Sequence, residues 1–577
     1  MRRSAVLAVA ATVALAVAAP AFASHDHGKG KSQDDHGKGH KPKPAVYLAG
    51  AAVRSIDPTP EMLAQDFYLG GYGLSSGKIG NQVEPPVGIT KGRKATGILG
   101  GGANGYGSSV RVVAFGDGQH VITLAQLEVQ GYFAAYKQGP FGLVDIRRDA
   151  AAKIATLAGK RKDLPTAGSI LVDSNHTHAG PDTAGVWGGV PTSYLKLVHD
   201  RTVDAIVEAW KSMQPANLYY GAVHAGVVNE ESRYPSADPL ITNQFSYDPN
   251  NQVVDDELRV LRAVNPETGV PIVTYVNYSA HATVLGSSNT LVSGDYTGPL
   301  SRMLGADGGI GFAQVATLGR TQPARDGCTT PGLSGSARDI CAIEGYAARV
   351  ALRAKDAIAA AKPLMDKPIV GLHSYYITDA GANAPIMLLT YGGVAVGAPI
   401  YRAVNAPWMA GNVLGTVSFS GRIGDILISG GPGEMYPQIV DTVARTVHAR
   451  GHINIGTAGD FLGYLIAPLE AYPEPIRRSL FDGPPPPTVS SCSGVPSPVG
   501  CPSPIDNDNH LFNPSYTFGE RLTCSLLRGA GEAFGVGAQT YWSTYQRCAA
   551  FADDLAKPAD LDTTFPAQPD LSAVLTH

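Results

Sequence analysis

Ile170-Leu171-Val172-Asp173-Ser174-Asn175-His176-Thr177-His178-Ala179-Gly180-Pro181 is the stretch on which the reading of this chain turns. Ile170 to Val172 is an apolar run, the mark of a buried strand. Side chains two apart on an extended chain share a face, so His176 and His178 can both look into one cavity. Two imidazoles at a strand end, just before a Gly-Pro turn, suit a metal ligand and a proton-transfer partner. The plainer alternative is one structural histidine and one exposed loop histidine. The segment alone leaves both open.

The chain has 577 residues, of which 44% are hydrophobic and 16% charged, enough apolar surface for a large core. The net charge of −4, with no long basic block in the folded part, gives no footprint for a nucleic-acid partner. Arg2 and Arg3, the apolar stretch Ala5 to Ala19, and Ala21-Phe22-Ala23 have the layout of a secretory signal. Residues 1–23 are expected to be removed, leaving an exported protein that starts at Ser24. No second run of about eighteen apolar residues follows, so no membrane span is expected. Residues 24–44 are low in complexity, with His25, His27, His36 and His40 among Lys, Gly and Asp, and are expected to be disordered.

Residues 45–577 read as one large α/β domain, mixed α+β in character. Val110–Ala114, Val121–Ala125, Ile170–Val172, Pro271–Ser279 and Ile426–Ser429 are expected strands. Helices are expected over Asp145–Leu157, Tyr194–Trp210, Ala342–Ala361, near Tyr296–Leu304 and from Tyr436 to Arg450. The six cysteines fall into sequence-close pairs, 328 with 341, 492 with 501 and 524 with 548, which suits disulfides in an oxidising compartment. Residues 481–504, rich in Pro and Ser, read as an excursion pinned by Cys492 and Cys501.

Several motif strings carry little. Gly100-x-Gly102-x-x-Gly105 precedes a strand, whereas a dinucleotide loop follows one and opens a helix. Gly73-Leu74-Ser75-Ser76-Gly77 matches a serine-hydrolase string, but no clear helix follows it. Asn175 and Asn277 begin glycosylation sequons in segments expected to be buried.

Three further segments echo the first: a run of apolar or strand-like residues, a candidate ligand, and Gly or Pro nearby. They hold His281 after Thr274–Ala280, Glu434 after Gly430-Gly431-Pro432-Gly433, and Tyr464 after Phe461-Leu462-Gly463. With these in view, the chain resembles the neutral/alkaline, non-lysosomal ceramidases. His176-Thr177-His178-Ala179-Gly180-Pro181 is similar to that family's His-Thr-His-Ser-Gly-Pro. The segment from His281 through Leu291-Val292-Ser293-Gly294-Asp295, Phe312-Ala313-Gln314, Pro432-Gly433-Glu434 and Gly463-Tyr464 follow in the family's order, over about residues 46 to 480.

The resemblance implies a secreted hydrolase with one zinc ion per chain. His176, His281, Glu434 and Tyr464 would hold the zinc, and zinc-bound hydroxide would cleave the amide of an N-acyl lipid such as ceramide. It places His178 beside the substrate as a proton donor and Arg233 on a polar head or developing oxyanion. Asp295 would support the site or cap the next helix. A lipid substrate implies peripheral membrane contact. The chain departs from the family at Gly319-Arg320-Thr321-Gln322-Pro323, where Gln322 stands in place of a serine given a catalytic role and Arg320 in place of an aspartate. The immunoglobulin-like domain that ends longer family members is not expected here. Two alternatives stay open: a zinc binder without turnover, and an esterase using Ser75.

Overall fold

Eight strands of one curled sheet carry both histidine segments. In the computed structural model they are β1 (Tyr47–Ser55), β2 (Ser109–Gly116), β3 (Val121–Leu127), β4 (Ile170–Ser174), β5 (Gln214–His224), β6 (Glu257–Val264), β7 (Pro271–Tyr278) and β8 (Ile310–Val315). Their spatial order is β8-β7-β6-β5-β1-β2-β3-β4, with Lys362–Pro363 beside β5. The pairs β3/β4 and β7/β8 are parallel and the other neighbours antiparallel. The structure describes residues 46–72, 92–136, 138–226, 229–231, 255–319, 321–324, 327–364, 367–380, 397–398, 401–404, 412–466, 513–515, 517–556 and 559. Residues 1–44, 481–504, Ser75, Arg233, Arg320 and the Cys492/Cys501 pair lie outside them.

Parallel pairs need a crossover. Helix α1 (Leu143–Leu157) joins β3 to β4, α2 (Thr192–Lys211) leads into β5, and α3 (Thr297–Leu304) joins β7 to β8. Helix α4 (Gly335–Ala360) follows. A second, five-stranded sheet has β9 (Val370–Ala380), β10 (Asn412–Ile423), β11 (Ile426–Gly430) and β12 (Gly451–Ile455) in that order, with Tyr401–Val404 beside β10. Helices α5 (Pro437–Val447) and α6 (Phe518–Ala533) complete the main elements.

Alternation along the strands sorts these parts into layers. On β2, Val110 and Val112 pack outward among residues of α1 and α2, such as Ile146 and Val198. Val113 and Phe115 pack inward, against Leu372, Phe419 and Ile428 of the second sheet. The other half of the first sheet buries Val260 and Val276 against Leu300 of α3 and Val350 of α4. The outer face of the second sheet buries Leu427 against Val443 of α5 and Leu522 of α6. Each such side chain contributes about 1.5–3 kcal/mol on leaving water.

The curl brings the two edge strands together. Gln314 of β8 donates to Asp173 of β4 at 2.6 Å, and Gln126 of β3 donates to the other oxygen at 2.8 Å. Burial holds the Asp173 carboxyl well above its ordinary range. The chain leaving β12 runs through the gap: Gly456 N–H donates to Ala316 O at 3.3 Å and Gly459 N–H to Val172 O at 2.9 Å. This seam positions the site.

The fold is mixed α/β, as the alternation of apolar runs implies. The expected helices appear with ends shifted by a few residues, at most seven at the start of α4 (Gly335 against the expected Ala342). Asn175 and Asn277 are fully buried, and their amides donate to protein acceptors, among them Thr297 Oγ1 and Asn454 O. Leu99–Gly105 is a 3-10 turn feeding β2, not a phosphate loop. The disulfides Cys328–Cys341 and Cys524–Cys548 form as the spacing suggests. Among the described residues, no helix is long and apolar enough to cross a membrane.

Candidate metal centre

His176 leaves the C-terminal end of β4 with a left-handed backbone, φ 57°. Such a φ is uncommon for a residue with a side chain, and neighbours must hold it. Asn175 does so through Nδ2, donating to Gly294 O at 3.1 Å and Thr297 Oγ1 at 2.9 Å. Thr177 Oγ1 donates to Ser293 O at 3.0 Å. His281 follows β7, and its backbone N–H donates to Thr321 O at 3.1 Å. The loop beyond it closes on Asp295, whose carboxylate accepts Val284 N–H at 3.2 Å and Leu285 N–H at 2.8 Å. Asp295 also accepts Tyr296 N–H at 2.7 Å at the start of α3. It therefore braces the loop beyond His281, while the N-cap position of α3 is Tyr296, with no side-chain cap hydrogen bond.

Glu434 and Tyr464 face each other across a short parallel pair, Glu434–Met435 with Tyr464–Leu465. Paired residues on parallel strands project from the same face. Glu434 N–H donates to Gly463 O at 2.8 Å. Gly433 has to be glycine, because a Cβ there would sit 2.4 Å from Gly463 O. Thr457, itself left-handed at φ 49°, ties this pair to the seam by donating its N–H to Gly433 O at 2.8 Å.

The ring nitrogens decide what the cluster can hold. His176 Nδ1 lies 2.6 Å from Gln130 O, and His281 Nδ1 lies 2.6 Å from Thr321 O. A carbonyl only accepts, so both Nδ1 atoms carry the proton and both Nε2 atoms present lone pairs. His176 Nε2 is 3.3 Å from Glu434 Oε1, and His281 Nε2 is 2.9 Å from Glu434 Oε2. His178 Nε2 is 3.2 Å from His176 Nε2. Burial pushes the His176 imidazole below its ordinary pKa, so it stays neutral at neutral pH, as a ligand must. Two Nε2 lone pairs facing the oxygens of one carboxylate fit a cation. The His176/His178/His281 group, with candidate ligand atoms within 4.8 Å of one another, could bind a metal.

His176, His281 and Glu434 thus meet, and Tyr464 sits opposite Glu434. His178, read as a substrate-side proton donor, also brings its Nε2 into the cluster. Gln322 accepts a hydrogen bond from Thr283 Oγ1 at 2.8 Å, two residues beyond His281. Sequence reasoning missed the carbonyls of Gln130 and Thr321, which set the tautomers. It also missed Phe461, whose ring lies 5.4 Å from that of His176, and Tyr72, whose ring meets that of His178 edge-on at 4.7 Å with Arg93 on it.

No family model matches the chain. Two curated relatives are neutral ceramidase 1 of Arabidopsis thaliana, 26% identical over 162 residues, and neutral ceramidase B of Dictyostelium discoideum, 29% identical over 141 residues. These alignments cover 26% and 23% of this chain, and 20% and 19% of the relatives. The chain therefore spans about a fifth of the curated relatives it matches. Among solved structures, neutral ceramidase from Pseudomonas aeruginosa superposes with a TM-score of 0.58 at 14% identity, covering 92% of this chain and 78% of that one. In part of its sequence, and in its fold, the chain is similar to the neutral ceramidases. A ceramidase complexed with C2 superposes similarly, with a TM-score of 0.56 at 14% identity over 92% of this chain and 78% of that one. At that identity the superpositions show the shared fold alone.

Proposed function

We propose that the protein is a secreted, zinc-dependent amidohydrolase that cleaves an N-acyl lipid, ceramide or a close analogue. One observation carries this reading: two imidazoles with committed Nδ1 protons direct their Nε2 lone pairs at the two oxygens of one buried glutamate. His176, His281 and Glu434, with Tyr464, would hold the ion. A zinc ion there supplies Lewis acidity that makes water nucleophilic near neutral pH. Glu434 is held between the two imidazoles by the Gly463 carbonyl. His178, partly buried beside His176, would pass a proton to the departing amine. Arg233 keeps the role that the resemblance gives it, on the substrate's polar part. The sequence signal over residues 1–23 and the two disulfides support export. An N-acyl lipid would bring the protein to membranes peripherally.

The test combines metal analysis with a release assay on a panel of N-acyl lipids, with and without chelator. One zinc per chain and chelator-sensitive release are expected. A zinc-free preparation with undiminished turnover would sink the reading. A second reading, a zinc-holding lipid binder without turnover, is favoured by Gln322 at the position of the family's serine. It predicts retained zinc and lipid but no release from any member of the panel.

A further inference from the structure

Arg93 stands beside the candidate metal centre with no acidic partner among the described residues. It lies on the short strand Arg93–Lys94, which pairs with Tyr68–Leu69. Its Nη1 donates to Asn289 O at 2.6 Å and its Nη2 to Gly70 O at 2.8 Å; Nη2 also donates to the carbonyl of His178 itself. The guanidinium lies 5.0 Å from the ring centre of Tyr72, and that ring meets His178 edge-on at 4.7 Å. Gly71 makes the approach feasible: at φ 85° it leaves room where a Cβ would lie 2.3 Å from His178 Cγ.

Carbonyls and an aromatic face satisfy hydrogens and stabilise a cation, but none of them cancels its charge. Among the described residues no carboxylate pairs with Arg93, and its buried Nε–H finds no acceptor. A half-buried charge without a counter-charge is costly. Burial already lowers the guanidinium's pKa to about 10. Two other arginines with little exposure do face carboxylates, Arg259 with Asp255 at 2.9 Å and Arg111 with Glu128 at 2.8 Å. A fixed cation against His178, with no counter-charge among the described residues, matches an anion carried by the substrate.

We infer that Arg93, backed by Tyr72, selects N-acyl substrates whose amine part bears a carboxylate or comparable anion close to the amide. This deepens the amidohydrolase reading and rests on it. The neutral headgroup of ceramide would then be the poorer fit, and an N-acylated amino acid the better one.

Binding separates this inference from turnover. Dissociation constants would be measured on zinc-loaded full-length protein for two probes of equal acyl length, an N-acylglycine and an N-acylethanolamine. The wild type is expected to prefer the anionic probe by tenfold or more, with the preference shrinking as salt rises. Arg93→Gln should abolish the preference, and Arg93→Lys should retain most of it, since Lys keeps the charge without the three-carbonyl clamp. Thermal melts of both variants report folding independently. Equal affinity of the wild type for the two probes would overturn the inference. So would a preference that survives in Arg93→Gln, since the zinc itself would then be taking the anion. A wild type that shows the preference but releases no amine from either probe would instead retire the amidohydrolase reading and leave the anion site standing.

Discussion

At the metal centre the decisive atoms are four nitrogens, two donating and two accepting. Glu434 faces both acceptors, so Glu434→Gln should release the ion outright. The expected loss of zinc affinity exceeds the roughly 10–100-fold that removing a supporting hydrogen bond costs. Competition with a chelating dye would measure it, and near-native affinity in the variant would remove Glu434 from the ligand set. Asp460 offers a pH test nearby. It accepts Ala134 N–H at 3.1 Å, Phe461 N–H at 2.9 Å and Thr416 Oγ1 at 3.0 Å, and burial holds its carboxyl up at about 6 against an ordinary 3.8. The native state therefore binds this proton more tightly than the unfolded chain. The stability from this group is full below about pH 4 and is lost as pH rises through about 6. Asp460→Asn should remove about 3 kcal/mol of that decline, read from denaturant melts between pH 4 and 8. An unchanged slope would contradict it. That His176, His281 and Glu434 should converge was legible through the resemblance to a known family, and for the two histidines also through the strand-like runs before them. The partners of their protons were not, because a backbone carbonyl leaves no trace in residue identity.

At the scale of elements, the short pair Glu434–Met435 with Tyr464–Leu465 carries more than its length suggests. It depends on close approach of two backbones at Gly433. Gly433→Ala should force them apart, with a cost of about 1–3 kcal/mol and a zinc affinity reduced tenfold or more. Calorimetry and metal titration on one preparation would show both, and an unaffected affinity would mean that the pair does not set the ligand geometry. Helices α1, α2 and α4 were readable from their apolar period. Strand β10 was not: Thr416, Ser418 and Ser420 are fully buried on it, and their polarity hid the alternation. They are buried because they find partners, Ser418 Oγ with Ser525 Oγ at 2.8 Å and Ser420 Oγ with Leu526 O at 3.2 Å, both on α6. Helix α6 was missed with it, since neither reads as a core element until the other is in place.

For the whole molecule, the site draws on segments from residue 130 to residue 464, joined across the seam between the two sheets. An ion bound there stabilises every layer that contributes a ligand. At free zinc a hundredfold above the dissociation constant, the gain should be about 2.7 kcal/mol. Thermal melts with zinc and with chelator should differ accordingly, and His176→Ala should remove the difference. A zinc-induced shift that persists in that variant would place the ion elsewhere. The mixed α/β class could be read from alternating apolar runs. The curl that unites β4 with β8 could not, because it rests on Gln314 reaching Asp173 from 141 residues away.

His176, Asp295 and Thr457 all hold left-handed backbones, at φ 57°, 59° and 49°. Each such residue costs about 1–3 kcal/mol, and that cost falls on folding, whether or not an ion is present. The donor atoms are consequently arranged before the ion arrives. Capture of a metal ion there would then need no ordering of the chain, and its rate would be governed by access and dehydration of the incoming ion. A chain that folds without metal would already be shaped to take it up.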